Sequence, residues 1–199
     1  MERCKVAIFT VESKGRVNIP TLQRSNIPTT MTDKHLLILN SHQIDQKITR
    51  IAYQILEDNF EEEEIMVAGI LPSGEKVAAR IKAILDEIAP FKSNLIGIEL
   101  DKQSSSLKAT INFDIRDCSN KVVILVDDVM NSGKTLAYGF GVFRDVPLKK
   151  LRTAVLIDRN HKRFPMTTDY AGMALSTVLK EHVDVILDED GEEDGVYLR

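Results

Sequence analysis

The stretch VVILVDDVMNSGKTL, residues 122–136, decides the fold of this chain. Its apolar start, Val122–Val126, predicts a strand that is buried on both faces. Asp127 and Asp128 follow this strand, and the small polar run Asn131–Thr135 then opens a helix over about residues 135–143. A buried strand that leads through a polar loop into a helix is the unit from which parallel sheets are built.

The flanking sequence repeats this alternation of apolar strands and amphipathic helices. One helix stripe is formed by Ile44, Ile48, Ile51 and Ile55 after the capping residues Asn40 and Ser41, and a second by Val77, Ile81, Ile84 and Ile88. Strands are predicted at residues 36–39, 65–70, 95–100, 110–115, 153–158 and 183–187, with a short last strand near the end. The pattern predicts an α/β fold with a central, mostly parallel sheet and helices on both faces.

Length, charge and cysteine content exclude several classes of protein. The chain has 199 residues, 43% of them hydrophobic, which suits one domain with a sizeable core. No apolar run is long enough to span a membrane, and the net charge of −4 disfavours nucleic acid as a partner. Because Cys4 and Cys118 form no metal-ligand spacing and no secretion signal is present, we expect a cytoplasmic protein.

The amino-terminal region differs from the rest of the chain. Residues 1–33 are rich in arginine and lysine, lack a sustained helical or strand period, and contain Pro20 and Pro28. We expect a loosely structured extension there, with a targeting or interaction arm as the alternative. Residues 34–199 are expected to form the domain.

The polar part of the central segment has a specific chemical use. Carboxylates at the end of a buried strand are held rigidly and lie where ligands of parallel sheets bind. Asp127 and Asp128 can therefore accept hydrogen bonds from two neighbouring sugar hydroxyls. The loop Asn131–Thr135 begins a helix, whose first backbone amides and dipole favour a phosphate.

Two alternatives compete with a sugar-phosphate site. The letters GKT at residues 133–135 occur in nucleotide-binding P-loops, but that motif needs a glycine five positions before Gly133. Asp128 stands there, and its carboxylate would repel a triphosphate. The other alternative is a strand that merely ends in an acidic turn, although two aspartates there are costly to bury without partners.

These residues resemble the signature of type I phosphoribosyltransferases, in which an apolar run, two acids and a small-residue loop bind phosphoribosyl pyrophosphate (PRPP). The later stretch LIDRNHKRFPMTTDYAG, residues 156–172, is similar to the family of pyrimidine operon attenuation regulators and uracil phosphoribosyltransferases. The likeness covers roughly residues 34–199. It implies the type I phosphoribosyltransferase fold with a small hood beside the sheet, and a homodimer.

The resemblance also implies a role for each matching residue. Asp127 and Asp128 would act on the ribose as catalytic residues and would help to hold Mg2+, whose other ligands come mainly from the substrate. The 5-phosphate would bind to Asn131, Ser132, Gly133, Lys134 and Thr135. The pyrophosphate would bind to Leu71, Pro72, Ser73, Gly74 and Arg159. The base would contact Val129, Asp158, Asp169 and Tyr170, and residues 101–109 would form a lid.

The implied function is a PRPP-dependent phosphoribosyltransferase of nucleotide salvage, which uses Mg2+ and for which we expect conversion of uracil to UMP. The 6-oxopurine branch of the family has an acid where this chain has Asn131 and a lysine where it has Asp158, so a pyrimidine base is favoured. Two alternatives stay open: an RNA-binding pyrimidine regulator, which the acidic net charge disfavours, and a non-catalytic sensor of PRPP or a nucleotide. The turn Leu71–Gly74 lacks the family's basic residue, which favours weak activity.

Overall fold

Strands and helices alternate along the chain from Leu36 onward. The structure, a computed structural model, describes residues 36–100, 109–159, 161–176, 181–188 and 193–199. The strands are β1 Leu36–Asn40, β2 Glu64–Ile70, β3 Lys92–Leu100, β4 Ala109–Ile111, β5 Val122–Met130, β6 Lys150–Asp158, β7 Tyr170–Ala174, β8 Val183–Ile186 and β9 Gly195–Leu198. The helices are α1 Ser41–Asp58, α2 Ser73–Ile88 and α3 Lys134–Val142, with a 3-10 turn at Ile115–Cys118. The expected extension, residues 1–33, and all of the expected lid except Ala109 lie outside the described residues.

Helix α1 begins where its capping residues predict. The side chain of Asn40 accepts a hydrogen bond from the backbone amide of Gln43 at 2.9 Å, and the Gln43 side chain accepts one from the Asn40 amide at 3.0 Å. This capping box satisfies two amides that the helix itself leaves without partners. The predicted isoleucine stripe, Ile44, Ile48, Ile51 and Ile55, is buried.

The main sheet has six strands in the order β4-β3-β2-β5-β6-β7. All neighbouring strands from β3 to β7 run parallel, and only the edge strand β4 is antiparallel. The carboxyl ends of β5, β6 and β7 are level, because Met130 pairs with Asp158 and Asp158 with Ala174. The mostly parallel sheet is therefore confirmed, and β5 lies near its centre.

Helices cover both faces of the sheet. On one face, Ile48 of α1 and Ile81 of α2 pack with strand residues such as Ile124. On the other face, Leu136 of α3 packs with Leu125 and its neighbours. Because neighbouring residues of β5 point to opposite faces, its unbroken apolar run contributes side chains to the hydrophobic cores on both faces of the sheet.

A second, three-stranded antiparallel sheet has the order β1-β9-β8. Leu39 pairs with Val196, and Val185 pairs with the same residue from the other side. This sheet corresponds to the small hood, which is thereby confirmed. Among the residues that the structure describes, no helix is both long enough and apolar enough to cross a membrane.

One predicted strand is shorter in the structure, and one observed strand was not predicted. The strand expected at residues 110–115 ends at Ile111, and a 3-10 turn follows that is capped by the Asp114 side chain at 3.0 Å from the Arg116 amide. Strand β7 was not predicted, since the sequence YAGMA lacks a run of large apolar or β-branched residues.

Candidate active site

The two aspartates at the end of β5 are held by local backbone amides. Asp127 is buried, with 7% of its surface exposed, and its Oδ1 accepts a hydrogen bond from the amide of Asp128 at 3.0 Å. The Oδ1 atom of Asp128 accepts one from the amide of Val129 at 2.8 Å. These bonds orient both carboxylates at the carboxyl edge of the sheet, where ligands of this fold class bind.

The loop between β5 and α3 forms the wall of a pocket. Gly133 has a φ of +76°, a left-handed conformation that glycine adopts without steric cost, and it immediately precedes the first turn of α3. The Ser132 hydroxyl accepts a hydrogen bond from the Lys134 amide at 3.3 Å. A pocket of about 200 Å³ is lined by Asp127, Val129, Met130, Asn131, Ser132, Gly133, Lys134, Thr135 and Leu136. The structure thus brings the predicted 5-phosphate loop, Asp127 and Val129 into one cavity.

The turn Leu71–Gly74 packs directly against the end of β5. A Cβ atom added at Gly74 would lie 2.8 Å from the carbonyl oxygen of Val126 and 3.2 Å from Oδ1 of Asp127. Leu71, which precedes a cis peptide bond to Pro72, donates its amide to the carbonyl of Ile98 at 2.9 Å. The absence of a side chain at Gly74 is what allows the start of α2 to approach the aspartate so closely.

Asp158, the last residue of β6, and Arg159, which follows it, lie at the same edge. The Asp158 carboxylate accepts a hydrogen bond from the Thr168 hydroxyl at 2.7 Å, and the Arg159 amide donates to the carbonyl of Met130 at 2.9 Å. The Arg159 guanidinium is buried and donates to the carbonyl of Glu181 at 2.7 Å. Contact of Asp158 with the base and of Arg159 with pyrophosphate stay predictions.

Asp169 and Tyr170 lie at the amino edge of the main sheet, opposite the edge that carries Asp127, and their contact with the base stays a prediction. Asp169 stands before the first residue of β7, where its carboxylate accepts the Thr153 amide at 2.8 Å and pairs with Arg152 at 2.8 Å. Tyr170 pairs with Ala154 and donates its hydroxyl hydrogen to Asp58 at 2.7 Å. Both residues are at the start of a strand, so they face the amino edge of the sheet.

The buried position of Tyr170 affects its acidity. Burial raises the pKa of its hydroxyl, and the hydrogen bond to the carboxylate of Asp58 raises that pKa further. The hydroxyl therefore stays protonated at neutral pH and serves to join β7 to the end of α1.

Residues 163–166 were not predicted to support the 5-phosphate loop. The backbone amides of Arg163 and Phe164 both donate to the carbonyl of Ser132, at 2.9 and 3.0 Å. The Phe164 ring meets Tyr138 of α3 edge to face, with centroids 6.3 Å apart. A Cβ at Gly133 would lie 3.2 Å from that of Met166. This packing stabilises the loop Asn131–Thr135. No periodic pattern in the sequence indicates it.

The two aspartates fit a partial Mg2+ site. Mg2+ binds hard oxygen donors, keeps several waters and takes other ligands from substrate phosphates, so two adjacent carboxylates suffice as the protein's share. In the described ranges, no group of three or more His, Cys, Asp or Glu side chains is placed to hold a metal ion. Asp127 and Asp128 are thus the residues that would hold the ion, together with the substrate.

Fold and site define a class of protein: an α/β enzyme with paired acids and a phosphate-binding loop at the end of a central parallel strand. The model of the phosphoribosyl transferase domain matches residues 37–190, so the chain belongs to the phosphoribosyltransferase family of enzymes. The chain is 32% identical over 177 residues to the Bifunctional protein PyrR of Fusobacterium nucleatum, covering 84% of this chain and 100% of that protein. The chain is also 29% identical over 170 residues to the Bifunctional protein PyrR of Macrococcus caseolyticus, covering 82% of this chain and 98% of that protein.

Solved structures show the same fold. A hypoxanthine-guanine phosphoribosyltransferase of Bacillus anthracis superposes with a TM-score of 0.62 at 25% identity, over 70% of this chain and 82% of that one. The hypoxanthine phosphoribosyltransferase of Trypanosoma cruzi superposes with a TM-score of 0.67 at 20% identity, over 82% of this chain and 96% of that one. The type I phosphoribosyltransferase fold is therefore confirmed.

Proposed function

We propose that this chain transfers the phosphoribosyl group of PRPP to uracil and releases UMP and pyrophosphate. The observation that carries the proposal is the shared cavity of about 200 Å³ in which Asp127 faces the loop Asn131–Thr135. A carboxylate suits the ribose hydroxyls, and amides at a helix start suit the 5-phosphate. The turn Leu71–Gly74, which touches Asp127, is then left for the pyrophosphate.

The reaction exchanges one bond at ribose C1 for another. The bond from C1 to pyrophosphate breaks and its electron pair leaves with the pyrophosphate, while N1 of uracil bonds to C1 and loses its proton to water. Positive charge develops on the ribose during this exchange. Asp127 and Asp128 bind the ring hydroxyls and stabilise that charge electrostatically. Mg2+, when bound, neutralises charge on the pyrophosphate.

Asn131 favours a pyrimidine over a purine as the base. An acid at this position can accept the purine proton, whereas an amide cannot act as a general base. Asn131 lines the pocket, so the difference lies at the site itself. The Bacillus anthracis protein, which is named for hypoxanthine and guanine, has the same fold. The fold alone thus does not select the base, and Asn131 is the residue that favours a pyrimidine.

The test is an assay with PRPP, Mg2+ and a panel of bases that includes uracil, hypoxanthine, guanine and adenine. We expect UMP and pyrophosphate to form from uracil and little nucleotide to form from the purines. Faster turnover of a purine would overturn the choice of base. If calorimetry shows PRPP binding but no base gives a product, the protein is a non-catalytic sensor of PRPP and not an enzyme.

A second candidate function is RNA binding under pyrimidine control. The curated relatives carry the name Bifunctional protein PyrR, and the exposed Lys162 and Arg163 lie beside the 5-phosphate loop. The net charge of −4 opposes it. Fluorescence polarisation with a pyrimidine-operon leader and a scrambled control, repeated across salt concentrations, decides between them. Equal binding of the two RNAs would dismiss specific regulation.

The resemblance also supports a homodimer that works in the cytoplasm. Light scattering coupled to size-exclusion chromatography should give twice the mass of one chain. Fractionation of the source cells should place the protein with the cytoplasmic enzymes. A monomer with full activity would remove the dimer from the proposal.

A further inference from the structure

Asp158 lies on the side of β5 opposite the turn assigned to pyrophosphate. In the main sheet, β5 is placed between β2, which leads into Leu71–Gly74, and β6, which ends at Asp158. Met130 of β5 pairs with Asp158 and lines the pocket that Asp127 also lines. A base that replaces pyrophosphate at ribose C1 approaches from the side opposite the leaving group. With the ribose bound by Asp127, the end of β6 is therefore the expected place for the base.

The carboxylate of Asp158 is held by a threonine. Asp158 is buried, and its Oδ2 atom accepts a hydrogen bond from the Thr168 hydroxyl at 2.7 Å. A hydroxyl that donates to a carboxylate oxygen makes a strong hydrogen bond, and a buried carboxylate needs such donors. The branched Cβ of threonine also leaves few side-chain rotamers. Thr168 thus restricts the direction in which Asp158 presents its oxygens.

The backbone on both sides of Thr168 is fixed to the strand that carries Asp158. The Thr167 carbonyl accepts a hydrogen bond from the Thr153 hydroxyl at 2.7 Å, and the Asp169 amide donates to the Thr153 carbonyl at 3.1 Å. Thr153 and Asp158 both belong to β6. The position of Thr168 relative to Asp158 is therefore set by one strand.

The same segment of the chain reaches the 5-phosphate loop, but it does so through other atoms. The amides of Arg163 and Phe164 donate to the Ser132 carbonyl at 2.9 and 3.0 Å. Neither bond uses the side chain of Thr168. Removal of the Thr168 hydroxyl should therefore affect the base end of the site and spare the phosphate end, whereas a general loosening of the segment would affect both ends.

The uracil base of a nucleotide offers one N–H group, at N3, because its N1 is bonded to the ribose. An ionised carboxylate is an acceptor only, so it suits this donor. We propose that Asp158 accepts the N3 hydrogen of the base and that Thr168 is the positioning residue that directs its carboxylate. This inference rests on the proposed site for a uracil nucleotide but not on turnover of PRPP, because binding of UMP suffices to test it. Thr168 lies outside the residues to which the sequence resemblance gives a role.

The experiment compares Thr168→Val, which keeps the shape of the side chain and removes the hydroxyl, with Thr167→Val. Thr167 is the matched control, because its side chain is exposed and its contact with Thr153 uses the backbone carbonyl. Calorimetry measures the Kd of UMP and of ribose 5-phosphate, which lacks the base. We expect Thr168→Val to weaken UMP binding roughly fivefold to tenfold and ribose 5-phosphate binding by less than about twofold. Thr167→Val should change neither, and Thr168→Ser should recover part of the UMP affinity.

A double-mutant cycle tests whether Thr168 acts through Asp158. In an Asp158→Ala background, Thr168→Val should weaken UMP binding further by less than about twofold, because the carboxylate that the hydroxyl directs is gone. In the enzyme assay, Thr168→Val should raise the KM for uracil and leave the KM for PRPP unchanged. Thr168→Ala, a second variant without the hydroxyl, should show the same difference between UMP and ribose 5-phosphate if the valine variant does not fold.

An unchanged Kd for UMP in the variants without the hydroxyl would overturn the inference. An equal loss for UMP and ribose 5-phosphate would also overturn it, since Thr168 would then only stabilise its segment, and so would an undiminished loss in the Asp158→Ala background. If the unaltered protein forms no nucleotide from any base but binds UMP more tightly than ribose 5-phosphate, the proposed transfer fails and the inference stands. If it binds UMP no more tightly than ribose 5-phosphate, the inference fails even where PRPP still binds.

Discussion

The two edges of the main sheet both carry acids, but they use them differently. At the carboxyl edge, Asp127 and Asp128 accept hydrogen bonds from backbone amides, and Asp127 lines a pocket. At the amino edge, Glu64 pairs with Lys121 at 2.5 Å and Asp169 pairs with Arg152 at 2.8 Å. Acids at the amino edge thus have basic side chains that neutralise them, which suits a structural role.

The comparison shows that the role of an acidic residue depends on whether it precedes or follows its strand. Both edges show an acid next to an apolar run, so the local sequences look alike. Ligands of parallel sheets bind at the carboxyl ends, because loops and helix starts converge there. An acid that precedes its strand, such as Asp169, is placed at the opposite edge.

The largest predicted effect is on ligand binding at the carboxyl edge. The double substitution Asp127→Asn with Asp128→Asn removes the charged acceptors for the ribose hydroxyls and the partial Mg2+ site. We expect Mg2+–PRPP binding to fall by more than about a hundredfold, or about 3 kcal/mol, as measured by calorimetry. Asp169→Asn, the control from the amino edge, should keep PRPP binding within about twofold. Equal losses in both variants would break the distinction between the edges.

The next prediction concerns the close approach of α2 to β5. An added methyl group at Gly74 would lie 2.8 Å from the Val126 carbonyl and 2.9 Å from Cα of Asp127, so Gly74→Ala must push the helix from the strand. We expect a loss of about 2 kcal/mol in the free energy of unfolding, measured with urea, together with weaker PRPP binding. Gly141→Ala in α3 is the control, since nothing lies within 4 Å of its added Cβ. That variant should be neutral or slightly more stable.

Much of the fold could be predicted because its signals are local. The unbroken apolar run of β5 predicts a buried strand, and the isoleucine stripe of α1 predicts a helix with one buried face. Asp127 and the loop Asn131–Thr135 belong to one short segment of sequence, so their shared pocket could be predicted from that segment alone. These parts of the site needed no information about distant residues.

The remaining parts depend on contacts between distant residues. Strand β7 is recognisable only through its pairing with β6, where a Cβ at Gly172 would lie 2.6 Å from the carbonyl of Leu156. The bond from Arg80 to Asp188 joins residues 108 positions apart. No local period in the sequence indicates such a contact, so the pairing of Arg80 with Asp188 and the position of Asp169 at the amino edge could not be predicted from it.

A third prediction sharpens the structural role of the amino edge. Tyr170→Phe removes the hydrogen bond to Asp58, whose carboxylate is exposed and regains water. We expect a loss of about 1 kcal/mol of unfolding free energy at pH 7 and an unchanged Kd for PRPP. Because burial raises the pKa of Tyr170, its protonated form is favoured by folding. The unaltered protein should therefore lose stability as pH rises above the ordinary value of 10.0, by more than the variant does. Urea titrations from pH 7 upward measure both effects.

The smallest effect is expected at Glu64, the first residue of β2. Hydrogen bonds from Lys121 and from Asn94, each at 2.5 Å, lower the pKa of its carboxyl below the ordinary 4.5. A lowered pKa means that folding favours the charged form, so its contribution is complete above pH 4.5 and is lost as pH falls further. Glu64→Gln should cost about 0.5 kcal/mol at pH 7, because the pair is partly exposed. The difference between variant and unaltered protein should shrink below pH 4.5 in urea titrations. A difference that stays constant down to pH 3 would mean that Glu64 acts through packing, and the amino edge would then lose its electrostatic explanation.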